Sequence, residues 1–305
     1  MATLLQQVLN LDNLRQAWNA VADNEGIPGV DHESIDVWRR NWEERLVSLA
    51  RTVRANQYRP SGLRLRRIPK KIPGQFRILR IPTVKDRVLQ RAVNQVLMPL
   101  YEKIFIDCSY GYRPERSLKD ALARLIELRE AGCGWLLDAD IDSFFDQIDH
   151  ELLLRFLQDD LPDETLLPLL SGWVQASKYP TSQSRGVPMG SPISPLMANV
   201  YLHRLDAAVK QLGWPMVRFA DDFVVLTNDP QKLPDIYTTI GHFLADLRLV
   251  YEPNKTRLSS FEEGFTFLGI RFFRNTYQYH WEGKDIQVSG NRADLLFSDY
   301  LPEYQ

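Results

Sequence analysis

Apolar positions recur at helical spacing over residues 3–22 and again over 33–56, where Leu, Val, Trp and Ala return every three or four residues. Gly26-Ile27-Pro28-Gly29 lies between them as turn chemistry, so a helical pair joined by a bend is predicted. The pattern then changes to that of strands, with Leu63, Leu65, Arg67 and Pro69 over 63–69 and Phe76, Ile78, Leu79 and Ile81 over 76–81. Lys71-Ile72-Pro73-Gly74-Gln75 supplies the turn of this basic hairpin. Further helices are predicted over 83–100, 117–131, 149–158, 191–212 (starting near Pro192) and 230–248, with a buried strand over 134–141. Arg218–Leu226 reads as a second hairpin. Helices interleaved with hairpins in this way predict an α+β fold layered on one face of a sheet. No internal repeat or low-complexity linker interrupts the pattern.

Composition sets outer bounds. A chain of 305 residues with 44% hydrophobic content buries a substantial core, as one large domain or two smaller ones. No apolar run approaches the roughly 20 residues that cross a bilayer. The N-terminus shows no charged-then-apolar leader, so a cytoplasmic location without membrane contact is expected. Cys108 and Cys133 are too few for a disulfide framework, and no His/Cys cluster suggests zinc.

Charge is unevenly spread. The formal net charge is −2, yet residues 51–91 hold 13 Lys or Arg against the single acid Asp86, which is +12 and leaves −14 for the rest. Residues 138–164 hold ten acids and only Arg155. A basic stretch suits phosphate and an acidic one suits metal, so the pairing points to nucleic acid handled beside a cation.

Two acid-rich stretches define that candidate chemistry. In Arg218-Phe219-Ala220-Asp221-Asp222-Phe223-Val224-Val225-Leu226, adjacent carboxylates sit between apolar runs. Two negative charges beside a buried sheet cost on the order of several kcal/mol unless something neutralises them. With Leu137-Asp138-Ala139-Asp140-Ile141-Asp142-Ser143-Phe144-Phe145-Asp146 upstream, they make a carboxylate cage suited to hard, oxygen-seeking ions such as Mg²⁺.

The order of several further motifs carries a resemblance. Gly26–Asp31, Arg77–Arg87, Ser109-Tyr110-Gly111-Tyr112-Arg113-Pro114, the acid-rich segment, Gly186–Pro195, the Phe-Ala-Asp-Asp box, Pro253-Asn254-Lys255-Thr256 and Phe267-Leu268-Gly269 occur in that sequence. Together, from about Gly26 to Gly269, the chain resembles a reverse transcriptase of the group II intron type. The resemblance implies a right-hand polymerase with a helical N-terminal extension (1–60), fingers (61–135, partly interleaved with 150–185), a palm (136–270) and a short C-terminal tail or thumb remnant (271–305), the thumb itself being reduced or absent.

It also implies roles. Asp140, Asp221 and Asp222 match the positions that hold two Mg²⁺ ions (Mn²⁺ a possible substitute), the backbone carbonyl of Ile141 completing a shell. Asp138, Asp142 and Asp146 are expected to be caps or solvated acids. Lys255 matches a lysine that protonates the leaving pyrophosphate. Lys70 and Arg77 match the positions that hold the triphosphate, with Lys71 or Arg80 as alternatives. Phe145 matches the bulky residue that excludes a 2′-hydroxyl and so selects dNTPs, although core packing beside Phe144 is the plainer alternative. Arg185 and Gly186 are expected at the nucleotide, and Arg80, Arg87, Arg113, Gly190, Leu268 and Gly269 at template or primer. Two positions depart from the family pattern: Arg185 stands where Gln is usual, and Phe219 where Tyr is common.

The expected activity is RNA-directed DNA polymerisation, with an RNA template, a DNA or RNA primer and dNTPs as partners. The short stretch after Gly269 argues against a full intron maturase. An accessory role beside CRISPR integrase proteins in spacer acquisition from RNA is the favoured pathway. Phage defence and diversity-generating retroelements stay open, as do an RNA-templated RNA polymerase and an inactive RNA-binding scaffold.

Overall fold

The computed structural model describes residues 2–69, 74, 76–177, 184–281 and 284–289. Four helices open the chain: α1 (Leu4–Val8), α2 (Leu11–Asp23), α3 (Ile35–Arg39) and α4 (Trp42–Arg54). Strands β1 (Arg64–Pro69) and β2 (Phe76–Ile81) lead to α5 (Val84–Tyr101) and α6 (Leu118–Glu130). Then come β3 (Trp135–Ala139), the single turn α7 (Phe144–Gln147), α8 (His150–Asp160), α9 (Leu167–Ala176) and α10 (Ser194–Gln211). The remainder is β4 (Met216–Phe219), β5 (Asp222–Thr227), α11 (Leu233–Asp246), β6 (Arg257–Ser260), β7 (Phe265–Phe267), β8 (Ile270–Phe273), β9 (Thr276–Trp281) and β10 (Lys284–Ser289).

Both helices predicted at the N-terminus are broken in two. Asn10 leaves helical geometry and its side chain accepts from the Asp12 amide at 2.8 Å, ending one helix and capping the next. Asn41, at φ −149°, interrupts the second run between α3 and α4. Helix α9 was not foreseen. Within the segment expected as a tail, the described residues form strands that join β7 in a four-stranded antiparallel sheet in the order β10-β9-β8-β7.

The chain divides into two compact units, residues 1–104 with 145–201, and 105–144 with 202–305. Residues 105–135 thus group with the strands that follow them. In the first unit, the antiparallel β1–β2 hairpin is arginine-rich and exposed over most of its length. Asp86, the lone acid of the basic stretch, is buried and accepts from the Tyr58 hydroxyl at 2.6 Å, the Thr83 hydroxyl at 2.8 Å and the Ser61 amide at 3.1 Å. It organises the start of α5, which Thr83 caps. Gly29 presses on that same cap, where a Cβ would lie 2.6 Å from the Thr83 Cα.

The second unit is built on a four-stranded antiparallel sheet in the order β4-β5-β3-β6. Its core joins α6 (Leu122, Leu125, Ile126), the sheet (Val217, Val224, Leu226) and the aromatics Phe267, Phe272 and Tyr277 of the C-terminal sheet. Dense apolar packing on this scale fixes strand register, because a one-residue slip would turn every core side chain outward.

Candidate active site

Register puts the acids together. Strands β3 and β5 pair Asp138 with Val224 and Ala139 with Phe223, so the register, carried one residue past the end of β3, brings Asp140 to Asp222, on whose carboxyl its charge acts. Residues two apart on a strand share a face, which sets Asp138 beside Asp140. Phe219 pairs with Asp222 across the β4–β5 hairpin, leaving Ala220-Asp221 as its two-residue turn, with Ala220 in the left-handed region at φ 58°.

A bulge brings Lys255 to the acids from the other side. Asp138 opposes Arg257 and Ile141 opposes Tyr251, so two residues of one segment face five of the other. The extra residues loop out as the Pro253–Thr256 turn, closed by the Lys255 and Thr256 amides on the Glu252 carbonyl at 3.1 and 3.0 Å. From that turn the Lys255 ammonium forms an ion pair with Asp140. Arg257 holds Asp138 at 3.2 Å.

The electrostatics are those of crowded carboxylates. Burial, then the charges of Asp138, Asp140 and Asp221, push the Asp222 carboxyl up to about 8, with Lys255 opposing. Burial likewise raises Asp138 to about 6 against the pull of Arg257. The Lys255 hydrogen bond to Asp140 holds its ammonium above the ordinary lysine range. Asp138, expected to be a cap or solvated, is therefore a buried member of the cluster; its alternation with Asp140 on a strand was the available signal. The donors are all oxygen, which suits a hard divalent cation and not zinc or copper. Among the described residues no three Asp, Glu, His or Cys side chains already surround a common point, Asp140 being engaged by Lys255.

In the first unit, Lys70 and Lys71 lie outside the described residues. Arg77 is exposed on β2, and Arg80 pairs with Asp146 at 3.0 Å, so Asp146 is an ion-pair partner there, not a cap. The Arg80 amide donates to Met189 at 2.9 Å, and a Cβ on Gly190 would meet the Arg80 carbonyl at 3.5 Å. Half-buried Phe145 accepts from the Val187 amide at 2.8 Å, while Gly186 donates to Ile148 at 2.8 Å and sits at φ +90° against the Asp146 backbone. His150 Nε2 and the Ser177 hydroxyl both reach the Gly186 carbonyl at 2.7 Å, an anchoring that no motif announced. Arg185 is exposed and its guanidinium donates to Gln147 at 3.4 Å.

Two of the residues expected at template or primer are engaged inside the protein. Arg87 is buried and donates to the Ile27 carbonyl at 3.0 Å, clamping the Gly26–Gly29 bend. Arg113 is buried too, donating to the Ile106 and Ser109 carbonyls at 2.7 and 2.9 Å with its guanidinium over the Phe105 ring. Leu268 and Gly269 form the β7–β8 turn, at φ 52° and 79°.

The antiparallel sheet that lines up carboxylates beside an acid-bearing hairpin turn belongs to a mixed α+β fold similar to that of reverse transcriptases. The chain belongs to the reverse transcriptase (RNA-dependent DNA polymerase) family: the family model matches residues 68–272, a reverse transcriptase domain of the group II intron-like kind. Protein YkfC of Escherichia coli (strain K12) is 28% identical over 323 residues, covering 90% of this chain and 84% of that protein. The group II intron-encoded protein LtrA of Lactococcus lactis subsp. cremoris is 32% identical over 270 residues, covering 84% of this chain and 44% of LtrA, so the chain spans under half of that relative. A telomerase structure from Candida albicans shares the fold, with a TM-score of 0.54 at 15% identity over 82% of this chain and 50% of the other. Reverse transcriptases use divalent metal. No helix among the described residues is long and apolar enough to cross a membrane.

Proposed function

We propose that the chain extends a DNA or RNA primer on an RNA template with dNTPs, and that the acid row carries this chemistry. The supporting observation is the register that brings Asp140 to Asp222, with Asp221 in the adjoining turn and Lys255 above Asp140. Asp140, Asp221, Asp222 and the Ile141 carbonyl would hold two Mg²⁺ ions, with Mn²⁺ as substitute. When bound, such ions neutralise the attacking and leaving oxygens of a phosphoryl transfer. Lys255, kept protonated by its neighbours, donates a proton to departing pyrophosphate. Arg77, with Lys70, holds triphosphate oxygens. Phe145 excludes the 2′-hydroxyl, Arg185 and Gly186 contact the nucleotide, and Arg80, Gly190, Leu268 and Gly269 contact template or primer.

Primer extension on an RNA template with Mg²⁺ and dNTPs tests this. Wild type should synthesise DNA, and an Asp221→Ala, Asp222→Ala double variant should not, while keeping salt-sensitive RNA binding. Equal inertness of both across templates and metals would favour an RNA-binding scaffold. That second reading draws on the lack, among the described residues, of three preset metal donors. Preferred use of rNTPs would instead make the enzyme an RNA polymerase. The accessory role beside CRISPR integrase proteins is supported by motif resemblance; co-purification with an integrase would favour it, and recovery alone would count against it.

A further inference from the structure

Behind the catalytic turn lies a charged pair that no expected role uses. Arg218 and Asp206 are both fully buried, at 0% side-chain exposure. The Arg218 Nε and Nη2 donate to the two Asp206 oxygens at 2.7 and 2.5 Å, a bidentate fork. The third arm, Nη1, donates to the Ala220 carbonyl at 2.8 Å, inside the turn that carries Asp221. Burial opposes the arginine's charge, but Asp206, with Asp221 contributing, holds it above its ordinary range.

The backbone here is held from a second direction. The Arg218 amide donates to Cys108 at 2.7 Å and its carbonyl accepts from Tyr110 at 2.9 Å, docking the 108–110 segment along β4. Gly111 follows so closely that a Cβ on it would lie 2.5 Å from the Ala220 nitrogen. Ala220 adopts its left-handed backbone between these two supports. A residue that is not glycine does so only when its surroundings impose it.

We propose that Arg218 and Asp206 are positioning residues: the fork on Asp206 orients the guanidinium, whose third arm fixes the Ala220 carbonyl and thereby where the Asp221 and Asp222 carboxylates stand for metal. The inference rests on the proposed role of those carboxylates. Outer groups that orient metal-binding side chains typically change metal affinity by about 10–100-fold when altered.

The test is Mn²⁺ binding by the full chain, titrated by the paramagnetic signal of free Mn²⁺ well below the melting temperature, with no nucleic acid present. Arg218→Lys keeps the charge but lacks the planar fork, so it cannot grip Asp206 through two bonds and Ala220 through a third. Its Mn²⁺ affinity should fall by about 10–100-fold, and the Mg²⁺ requirement for primer extension should rise in parallel, with little change in the dNTP KM. Gly111→Ala, which displaces the turn without touching the ion pair, should do the same. A folded Arg218→Lys with wild-type Mn²⁺ affinity overturns the proposal; should that variant fail to fold, wild-type affinity in Gly111→Ala overturns it. Asp221→Asn separates the two levels. If it keeps full Mn²⁺ binding and synthesis, the carboxylate reading itself fails; if it loses both while Arg218→Lys stays normal, only the positioning role fails.

Discussion

Lys255 reaches Asp140 because a bulge stands between Arg257 and Tyr251 in the ladder beside β3; a regular strand would not lift Lys255 out in the Pro253–Thr256 turn. The lysine therefore has two consequences of opposite sign. It pairs with Asp140 in the resting protein, and in the proposed reaction it serves the leaving group as an acid.

Replacing Lys255 with Ala should accordingly lower kcat by about 100-fold or more, the usual scale for a lost general acid. The same change should lower the Mg²⁺ concentration giving half-maximal rate, since Asp140 no longer has a competing cation. Steady-state primer extension across a Mg²⁺ series reads both. A variant whose Mg²⁺ demand rises would contradict the competition.

Stability in chelator should depend on pH through the acid cluster. Asp222 titrates near 8 in the folded chain against about 3.8 for an ordinary aspartate. Between those values the folded state binds more protons than the unfolded one, so stability is full at acid pH and declines as pH rises through about 8. Melting temperatures from pH 5 to 9 should fall toward the alkaline end in EDTA. The slope should be shallower with Mg²⁺, and shallower also in Asp222→Asn.

Phe145 is tied to Val187 by its carbonyl, so its ring can be cut back without releasing that backbone link. Phe145→Ala should improve rNTP use relative to dNTP by at most about 100-fold, the usual limit when an apolar wall rejects an added hydroxyl. Competition between paired nucleotides on one template measures it. No change would return Phe145 to core packing.

The Asp206–Arg218 pair should behave as a coupled unit in unfolding. Asp206→Ala leaves a buried guanidinium without its main counter-charge and should lose about 3–5 kcal/mol. Asp206→Leu combined with Arg218→Met should lose less than the sum of the single changes. Denaturant titration of Asp206→Leu, Arg218→Met and the double variant supplies the cycle.

Legibility in the sequence followed the range of the interactions. The basic hairpin, α5, α6, β3 and the acid-bearing hairpin were readable because their periodicity is local. The Asp140, Asp221 and Asp222 positions came from motif order, and the strand register then brought Asp140 to Asp222. The burial of Arg87 and Arg113, whose template role is implied by the resemblance, was not legible, because a guanidinium that caps carbonyls in the interior looks, as a letter, like one that meets phosphate. Asp138 was misjudged for the same reason: its burial depends on strands β5 and β6, which flank it from distant parts of the chain. Asp206, the one acid of helix α10, gives no hint of its partner.

The strands flanking the acid row come from 135–139, 222–227 and 257–260, with β3 in the middle. During synthesis, β3 is therefore made long before either neighbour it must join, and pairings that span so much chain form slowly. A ribosome-bound polypeptide lacks its final flanking strand until Ser260 has cleared the exit tunnel. Competence for chemistry is thus a late event in the life of the nascent chain, and the aspartates made first spend that interval without their neighbours.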